Sequence, residues 1–382
     1  MSTSTDTIAP TDTAVAVDDL TVRFASKRGE VTALHNVDLQ VRPGEFVSIV
    51  GPSGCGKSTL LKVVAGLTEA SGGSVELRGA PVRGPQRNIG YVFQRAALLE
   101  WRTVRKNILL QAEMRGMNKR AAEAECARLI EMTGLSGFEN ALPHELSGGM
   151  QQRVSLCRAL LHEPEVLLMD EPFGAIDPIT RDRLQGEFLR LQGEVGKTVL
   201  FVTHDVDEAV RLGDRIAVLR EGGVLEQYAP PADVLGRPAS PFVADFVGAD
   251  RGLKRLSVIP VDVGHLETPV TLSPGTSLAE ARAVLNGAAA AVVDGDGRLL
   301  GELRPGDAAG DGTVGDRSRP VSARVGPGAS LKDASSALLL SDAGWVAVTD
   351  GDRLLGVMTP ESVHAVARRA ADNHRGYPPG HG

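Results

Sequence analysis

The loop GPSGCGKST at 51–59 restricts the fold of this chain more than any other segment. It directly follows the apolar run FVSIV at 46–50 and opens the helix-like run TLLKVVAGL. A G-x4-G-K-S spacing between a strand and a helix is that of a phosphate-binding loop, whose glycines let main-chain N–H groups converge on phosphate oxygens. Lys57 is expected to add a positive charge and Ser58 a hydroxyl ligand for Mg²⁺. A chance glycine-rich turn is the alternative, and the complete spacing argues against it.

A second apolar run ends in two carboxylates. VLLMDE at 166–171 predicts a buried strand with Asp170 at its tip and Glu171 on the opposite side of the pleat. Asp170 is a candidate Mg²⁺ ligand. Glu171 is a candidate to accept a proton from, or to orient, the water that attacks a γ-phosphate. Solvated acids at a strand end are the alternative, and the neighbouring loop chemistry favours catalysis.

From about residue 15 to 247, strand-like and helix-like segments alternate. Near-continuous apolar runs are typical of strands buried on both faces of a mostly parallel sheet, as in α/β proteins. These runs are FVSIV (46–50), IGYVF (89–93), VLLM (166–169), TVLFVT (198–203) and IAVL (216–219). Between Val104 and Leu142, strong helix formers such as KRAAEAECARLIEM predict a helical insert.

Composition excludes several classes of protein. The net charge of −7 disfavours nucleic acid as the main partner. The three cysteines form no CxxC pair, which favours a reducing compartment over a disulfide framework. The N-terminal MSTSTDTIAPTDTA lacks the apolar stretch of a secretory signal, and no run approaches the ~18 apolar residues that span a bilayer. Work at a membrane is therefore expected to require a membrane-spanning partner.

The segment LSGGMQQR at 146–153 separates the many classes of phosphate-binding ATPase. With the loop at 51–59, YVFQ ending at Gln94, VLLMDEP, AIDP at 175–178 and FVTHD containing His204, it completes six motifs in one order. The chain thus resembles the ATP-binding subunits of ABC transporters, although Met150 stands where that family usually has glutamine. The resemblance implies an α/β P-loop NTPase fold with a mixed sheet and a helical subdomain.

The family resemblance also implies site residues. Glu171, His204 and Gln94 are expected to be catalytic, and Ser58, Gln94 and Asp170 to bind Mg²⁺. Asp177 is expected in the loop that crosses a dimer interface. Phe24 is expected to stack on adenine, with a core phenylalanine as the alternative. The residues expected to bind ATP are Phe24, Gly51, Pro52, Ser53, Gly54, Cys55, Gly56, Lys57, Ser58 and Thr59, joined in trans by Ser147, Gly148 and Gly149.

In trans means that two subunits stack head to tail, so that Ser147 and the N–H groups of Gly148 and Gly149 hold the γ-phosphate bound by the partner subunit. The alternative is that Ser147 only caps its own helix. The two roles are compatible. The resemblance therefore implies a second ATPase subunit, with a homodimer as the simplest form.

An internal repeat follows residue 257. SPGTSLAEARAVL (273–285) is repeated as GPGASLKDASSAL (326–338), and each copy predicts a helix and then a strand pair joined by an Asp-Gly turn. The repeat resembles a smaller α/β tandem pair of CBS modules. The predicted organisation is a flexible tail (1–13), an ABC domain (14–247, helical subdomain about 100–160), a linker (248–257), CBS modules (258–368, about 258–309 and 318–368) and a second tail (369–382).

Nucleotide-binding CBS modules carry a Thr three residues before an Asp. Here the first copy has Arg304 and Asp307 and the second has Thr359 and Ser362, so each keeps one member of the pair. The CBS pair is therefore expected to be regulatory, sensing either ionic strength or a nucleotide.

Two segments narrow the cargo by resemblance. EPFGAIDPITR (171–181) and PFVADFVGADRGLKRL (241–256) are similar to the ATPases of importers for glycine betaine, choline, carnitine or proline. Text like ALLEWRTVRKNI (97–108) also occurs in nitrate, sulfonate and taurine importer ATPases, which are the alternative. A soluble, non-transport ABC ATPase is the alternative of another class. The expected partners are a transmembrane permease and an extracytoplasmic solute-binding protein, with the chain peripheral at the cytoplasmic face of the membrane.

Overall fold

The computed structural model describes residues 13–26, 29–174, 176–285 and 287–373. The predicted tails fall mostly outside this part of the chain. The chain divides into two compact units between Gly248 and Ala249. None of the helices in the described part has the length and apolar character that crossing a membrane requires.

Unit 1 contains ten strands and nine helices among its described residues. The strands are β1 (Val15–Ser26), β2 (Gly29–Val41), β3 (Phe46–Val50), β4 (Gly72–Leu77), β5 (Ala80–Pro81), β6 (Ile89–Val92), β7 (Val166–Asp170), β8 (Thr198–Val202), β9 (Arg215–Arg220) and β10 (Val224–Ala229). The helices are α1 (Lys57–Val64), α2 (Val104–Ile108), α3 (Leu110–Arg115), α4 (Lys119–Met132), α5 (Gly148–Leu160), α6 (Pro178–Val195), α7 (Val206–Leu212), α8 (Pro231–Gly236) and α9 (Pro241–Val247).

The central sheet has the strand order β10-β9-β3-β8-β7-β6. Its neighbours pair in parallel except β10, which is antiparallel to β9. Every residue of β3, β7 and β8 is buried, as the apolar runs predict for strands covered on both faces. Parallel strands end at one edge of the sheet, so the loops after β3, β7 and β8 lie side by side.

An antiparallel sheet of order β2-β1-β4-β5 covers one face of this core. Its inward side chains, such as Val17, Leu34 and Leu39, belong to the same apolar cluster as Leu60 and Leu61 of α1. The mixed-sheet α/β fold expected from the resemblance is confirmed. The antiparallel sheet thereby carries Phe24 toward the end of unit 1 where α1 begins.

The predicted helical insert is also confirmed. Helices α2 to α5 bury an apolar cluster that includes Ile108, Leu129 and Val154. Asn118 caps α4 by accepting hydrogen bonds from the N–H groups of Arg120 and Ala121. The fully buried Asn107 side chain bonds the main chain at Leu99, which fixes the entry into this helical region.

Unit 2 contains six strands and five helices among its described residues. The strands are β11 (Thr271–Leu272), β12 (Ala290–Val293), β13 (Leu299–Leu303), β14 (Arg324–Val325), β15 (Val346–Asp350) and β16 (Arg353–Met358). The helices are α10 (Arg251–Leu256), α11 (Leu278–Val284), α12 (Val314–Arg317), α13 (Leu331–Leu339) and α14 (Pro360–Asn373).

The sequence repeat is a structural repeat. β11-β12-β13 and β14-β15-β16 form sheets of identical order, each with one parallel and one antiparallel pairing. Ser277 and Ser330 form the same capping box at the start of α11 and α13. Each repeat therefore folds as the helix and strand pair that the sequence predicts.

Two predicted boundaries differ from the structure. Residues 251–256, taken as part of a linker, form α10, and Leu256 packs against the apolar cluster that includes Leu331 and Val346. Residues 369–373, taken as the start of a tail, continue α14. Both segments are helical because they carry apolar side chains that pack on the repeat, which composition alone did not reveal.

Candidate ATP site

The phosphate-binding loop runs from the end of β3 into α1, and its glycines are required by geometry. Gly51 and Gly56 have φ angles of 152° and 99°. A Cβ on Gly51 would lie 2.1 Å from the Leu219 carbonyl oxygen, and one on Gly56 would lie 2.2 Å from the Ala33 carbonyl oxygen. Only glycine fits both positions, so the main chain can curl around an anion.

Lys57, the first residue of α1, is 6% exposed. Its Nζ donates to the carbonyl oxygens of Gly51 (2.7 Å) and Pro52 (3.0 Å). The Lys57 side chain thus lies along the loop, with its ammonium group against the carbonyl oxygens of Gly51 and Pro52. A buried cation held by neutral carbonyls is well suited to attract phosphate.

A cavity of about 520 Å³ opens above this loop and joins half of the predicted site residues. Its lining comes from the loop, from β2, and from the ends of β6, β7 and β8. The lining residues are Ala33, Ser53, Gly54, Gly56, Lys57, Ser58, Thr59, Gln94, Glu171 and His204. Ala33 was not predicted, because an alanine in an apolar strand gives no functional signal.

Two predicted Mg²⁺ ligands lie together. Ser58 Oγ donates to Asp170 Oδ1 over 2.8 Å. Burial raises the pKa of the Asp170 carboxyl, while the Ser58 hydrogen bond opposes that rise. A divalent cation beside this buried carboxylate would offset its desolvation. A hydroxyl and a carboxylate are hard oxygen donors, so the pair fits Mg²⁺.

Ser58 and Asp170 together supply two oxygen donors at this position. Within the part of the chain that the structure describes, no group of three or more His, Cys, Asp or Glu side chains is arranged to hold a metal ion. Mg²⁺ in ATPase sites uses one or two protein carboxylates and takes its remaining ligands from phosphates and water.

Glu171 stands at the centre of the predicted catalytic group. Its Oε2 accepts a hydrogen bond from Gln94 Nε2 at 3.0 Å and lies 3.5 Å from His204 Nδ1. Three side chains from the ends of β6, β7 and β8 therefore meet at one carboxylate oxygen. This arrangement can hold a water molecule and receive its proton.

The backbone of Glu171 differs from the expectation of a continuing strand. β7 ends at Asp170, and Glu171 adopts a left-handed conformation with φ of 46°. Its N–H donates to the Val202 carbonyl oxygen over 3.0 Å. This turn, rather than the alternation of a pleat, sends the side chain toward Gln94 and His204.

The residues expected to act in trans lie on a separate surface. Ser147 caps α5 by accepting a hydrogen bond from Met150 N at 3.3 Å, so the capping interpretation is confirmed. Ser147 and Gly148 are exposed, and Ser147, Gly148 and Gly149 are not among the residues that line the cavity. The N-terminus of α5 is therefore exposed to solvent.

Six further predicted residues do not line the cavity: Gly51, Pro52, Cys55, Asp170, Phe24 and Asp177. Phe24 on β1 is 43% exposed, so the alternative of a core phenylalanine is wrong. Asp177 is exposed, and its Oδ1 accepts a hydrogen bond from Thr180 N at 3.0 Å. Hydrogen bonds from Thr180 hold the pKa of the Asp177 carboxyl below its usual range.

Helix α5 also holds the loop that carries Gln94, which the sequence analysis missed. Gln152 Nε2 donates to the Gln94 carbonyl oxygen, and Arg158 donates to the carbonyl oxygens of Ala96 and Ala97 at 2.9 and 2.8 Å. Gln152 lies within LSGGMQQR, so its position was visible but its contact was not.

In unit 2 the CBS pattern residues are occupied by internal contacts. Arg304 pairs with the fully buried Glu302 (2.7 Å) and with Asp342 (3.0 Å), and Asp307 pairs with Arg319. In the second repeat, Ser362 Oγ accepts the N–H of Thr359 at 2.8 Å. The two repeats thus have different polar chemistry at equivalent positions.

The fold and this geometry define a P-loop nucleoside triphosphatase. A family model described as ABC transporter matches residues 34–174, and one described as CBS domain matches residues 262–309. The osmoprotectant import ATP-binding protein OsmV of Salmonella typhimurium is 38% identical, covering 88% of this chain and 92% of that protein. The chain belongs to the ABC transporter family of ATP-binding proteins and is an ATPase coupled to solute transport.

Other relatives extend the comparison. The glycine betaine/carnitine/choline transport ATP-binding protein OpuCA of Bacillus subtilis is 36% identical over 88% of this chain and 92% of its own. The taurine import protein TauB of Jannaschia sp. is 43% identical over 57% of this chain and 83% of its own. A solved dimeric post-hydrolysis state of the cassette MJ0796, bound to ADP and Pi, is 33% identical with a TM-score of 0.53, covering 56% of this chain and 98% of that one.

Proposed function

We propose that this chain hydrolyses ATP to energise the uptake of a quaternary-amine or related osmoprotectant: glycine betaine, choline, carnitine or proline. The observation that carries the proposal is the extent of similarity. Relatives named for osmoprotectant transport align over 88% of the chain and therefore extend across both units. The second candidate is taurine-type import, favoured by 43% identity over 57% of the chain.

ATP would lie across the loop at 51–59. Phe24 would stack on the adenine, the main chain at Gly51–Gly56 would hold the phosphates, and Lys57 would contact the β- and γ-phosphates. Ser58, Asp170 and Gln94 would hold Mg²⁺, which when bound neutralises charge on the phosphate oxygens. The 2.8 Å contact between Ser58 and Asp170 supports this assignment.

Hydrolysis would proceed by attack of water on the γ-phosphorus. Glu171 accepts the proton of that water as the new P–O bond forms and the bond to the β,γ-bridging oxygen breaks, giving ADP and phosphate. His204 donates a hydrogen bond to a γ-phosphate oxygen, and Gln94 orients the water. The convergence of these three side chains on Glu171 Oε2 supports their roles.

A second copy of the chain would complete each site. Ser147, Gly148 and Gly149 of one copy would contact the γ-phosphate held by the other, and Asp177 would lie at the interface. The exposure of this helix N-terminus, away from its own cavity, supports a role in trans. A permease and an extracytoplasmic solute-binding protein would complete the importer, with this subunit at the cytoplasmic face of the membrane.

Unit 2 would regulate transport. Arg304 pairs with Glu302 and Asp342 in one repeat, and Thr359 donates to Glu267 over 2.6 Å in the other. Such polar contacts respond to salt or to a bound anion, which supports sensing of ions or of a nucleotide. Titration calorimetry of the full chain with AMP, ATP and cyclic dinucleotides, at low and high KCl, separates the two. Nucleotide binding beyond one ATP per chain supports a nucleotide sensor. An ATPase rate that depends on KCl, without such extra binding, supports an ion sensor.

Uptake of labelled glycine betaine by the native host tests the proposed cargo. We expect osmotically stimulated uptake with wild type and none with Glu171→Gln, while a control variant at the exposed Glu69, Glu69→Gln, behaves as wild type. Loss of taurine uptake, with betaine uptake intact in a host lacking redundant carriers, would transfer the assignment to the second candidate.

A further inference from the structure

A buried carboxylate on α7 connects two loops of the proposed ATP site. Glu208 is 8% exposed and both of its oxygens are occupied. Its Oε2 accepts the hydroxyl of Thr203 at 2.6 Å, and its Oε1 accepts Gln185 Nε2 at 3.0 Å. Thr203 and Gln185 are themselves 2% and 3% exposed, so the three side chains form a polar group inside the protein.

One branch of this group fixes the main chain around His204. Thr203 Oγ1 donates to Glu208 and accepts the N–H of Asp205 at 3.0 Å, while Thr203 N donates to the Ile49 carbonyl oxygen at 3.2 Å. The residues before and after His204 are therefore both held by the Thr203 hydroxyl. The His204 imidazole is exposed, and the hydrogen bonds of the Thr203 hydroxyl fix the main chain that carries it.

The other branch leads to the segment that contains Asp177. Arg181 Nη1 lies 3.8 Å from Glu208 Oε1, and Arg181 Nη2 donates to the Ile176 carbonyl oxygen at 3.1 Å. Arg181 N also donates to the Asp177 carbonyl oxygen at 2.8 Å. The guanidinium thus fixes the Ile176 carbonyl, while the main-chain N–H of Arg181 closes the first turn of α6 on the Asp177 carbonyl.

Burying the Glu208 carboxylate costs free energy, which suggests that its benefit lies in positioning its neighbours rather than in stability. Burial raises the pKa of the Glu208 carboxyl, with the Thr203 hydrogen bond acting in the opposite direction. Buried ionic groups are often replaceable by apolar side chains without loss of stability, so their presence is weak support for a purely stabilising role. Buried hydrogen bonds do fix unique geometries, and both oxygens of Glu208 have such a bond, whereas Arg181 Nε has no hydrogen-bond partner among the described residues.

We propose that Glu208 is a positioning residue for hydrolysis: it sets His204 through Thr203 and the Asp177 segment through Arg181, so that the site and the predicted dimer interface move together. The inference rests on the proposed function, in which His204 contacts the γ-phosphate and Asp177 lies at the interface. It assigns no direct contact with ATP to Glu208.

The test is a double-mutant cycle on ATP hydrolysis by the full chain with Mg²⁺. Glu208→Gln keeps the volume, but its amide replaces one acceptor with a donor that faces Thr203 or Gln185. We expect kcat to fall about tenfold or more, as misplacement of a reacting group does, with nucleotide affinity within twofold of wild type. In a His204→Ala background, the same change should lower kcat by a clearly smaller factor, because only the branch through Arg181 to the Asp177 segment remains.

Two matched variants at Thr203 test whether its hydroxyl group connects Glu208 to His204. Thr203→Val is nearly isosteric and removes the hydroxyl, whereas Thr203→Ser retains it. We expect Thr203→Val to lower kcat as Glu208→Gln does, and Thr203→Ser to retain most of the wild-type kcat. Thermal unfolding of each variant reports stability separately, so a folding defect in Glu208→Gln does not decide the outcome.

Two results would overturn the inference, and they have different meanings. If Glu208→Gln lowers kcat by the same factor in wild-type and His204→Ala backgrounds, Glu208 does not act through His204, although the ATP site stands. If His204→Ala itself hydrolyses ATP at the wild-type rate, the proposed role of His204 fails, and the role of Glu208 fails with it.

Discussion

The two helix N-termini that are proposed to meet phosphate are built in opposite ways. At α1, Gly56 has a left-handed backbone, Lys57 is 6% exposed, and the loop encloses its cavity within one chain. At α5, the Ser147 side chain caps the helix, and Gly148 is exposed with open space around it. The first surface encloses its cavity within one chain, whereas the second is proposed to act only when another copy of the chain faces it.

Because the two helix N-termini differ in this way, variants at each should affect ATP binding and ATP hydrolysis differently. A variant at the α1 loop should damage both, because that loop holds the nucleotide in the single chain. A variant at the α5 terminus should damage hydrolysis alone, because that terminus acts after two chains meet. We expect the effect on ATP binding or hydrolysis to decrease from variants of Lys57 through Gly148 and Phe24 to His162.

The largest effect is expected for Lys57→Ala. Loss of a buried charge with its hydrogen bonds should weaken ATP binding about a hundredfold, and hydrolysis should fall to background. Lys62→Ala is the control, since Lys62 lies exposed on the same helix. Calorimetric titration with ATP measures binding. Wild-type affinity in Lys57→Ala would show that the α1 loop is not the primary phosphate site.

Gly148→Asp should lower hydrolysis about a hundredfold, the scale of losing one donor to a developing anion, while ATP affinity of the single chain stays unchanged. The new carboxylate repels phosphate but suits a helix N-terminus, and no atom lies within 4 Å of a Cβ built there. The melting temperature should therefore not decrease.

Gly148→Ala is the matched control, because it adds the same Cβ without a charge and should retain most activity. ATPase rates measured across protein concentrations complete the test. If Gly148→Asp weakened ATP binding by an isolated chain, or left hydrolysis intact, the division between the two helix N-termini would be wrong.

A smaller effect is expected at Phe24. Removing the ring in Phe24→Leu should weaken ATP about two- to tenfold, the scale of one aromatic stacking contact. Phe24→Tyr should bind as wild type because it keeps the ring. Competition between ATP and GTP in a fluorescent-nucleotide assay measures the change. Equal affinities for Leu, Tyr and Phe variants would remove Phe24 from the site.

The smallest effect on activity is expected at His162, just beyond the C-terminal end of α5. Burial, reinforced by the charge of Arg115, lowers the pKa of His162 to about 4, and a contact with the Ile89 main chain acts in the opposite direction. Below pH ~6.5 the unfolded chain binds a proton that the folded chain refuses. Unfolding free energy should therefore fall as the pH drops from 6.5 to 4.

His162→Leu should reduce that dependence and leave ATPase activity at pH 7 unchanged, whereas a variant at the exposed His144, His144→Gln, should keep the wild-type dependence. Thermal unfolding at pH 7 and pH 5 measures it. An unchanged pH dependence in His162→Leu would place the acid-sensitive group elsewhere.

The sequence predicted best what depends on pattern. Continuous apolar runs placed β3, β7 and β8 because strands buried on both faces leave no polar positions. Spacing identified the loop at 51–59 because Gly51 and Gly56 lie so close to backbone carbonyls that no side chain fits there. The order of motifs then predicted that Gln94, Glu171 and His204 would meet.

The sequence did not predict what depends on contacts between distant residues. Nothing in the local pattern marks Glu208 as buried against Gln185, which lies on another helix. The same holds for Glu302, which is fully buried and bonded to Ser322 across 20 residues. Such carboxylates look like surface residues until the fold supplies their donors.

The left-handed backbone of Glu171 has a practical consequence for engineering. A non-glycine residue in that conformation costs about 1 kcal/mol, which glycine would release and asparagine would reduce. Directed evolution that screens only for heat resistance would therefore favour replacing this residue, and under the proposed role of Glu171 each such variant would be more stable but unable to hydrolyse ATP. Libraries for this chain should hold position 171 constant or select for growth under osmotic stress instead.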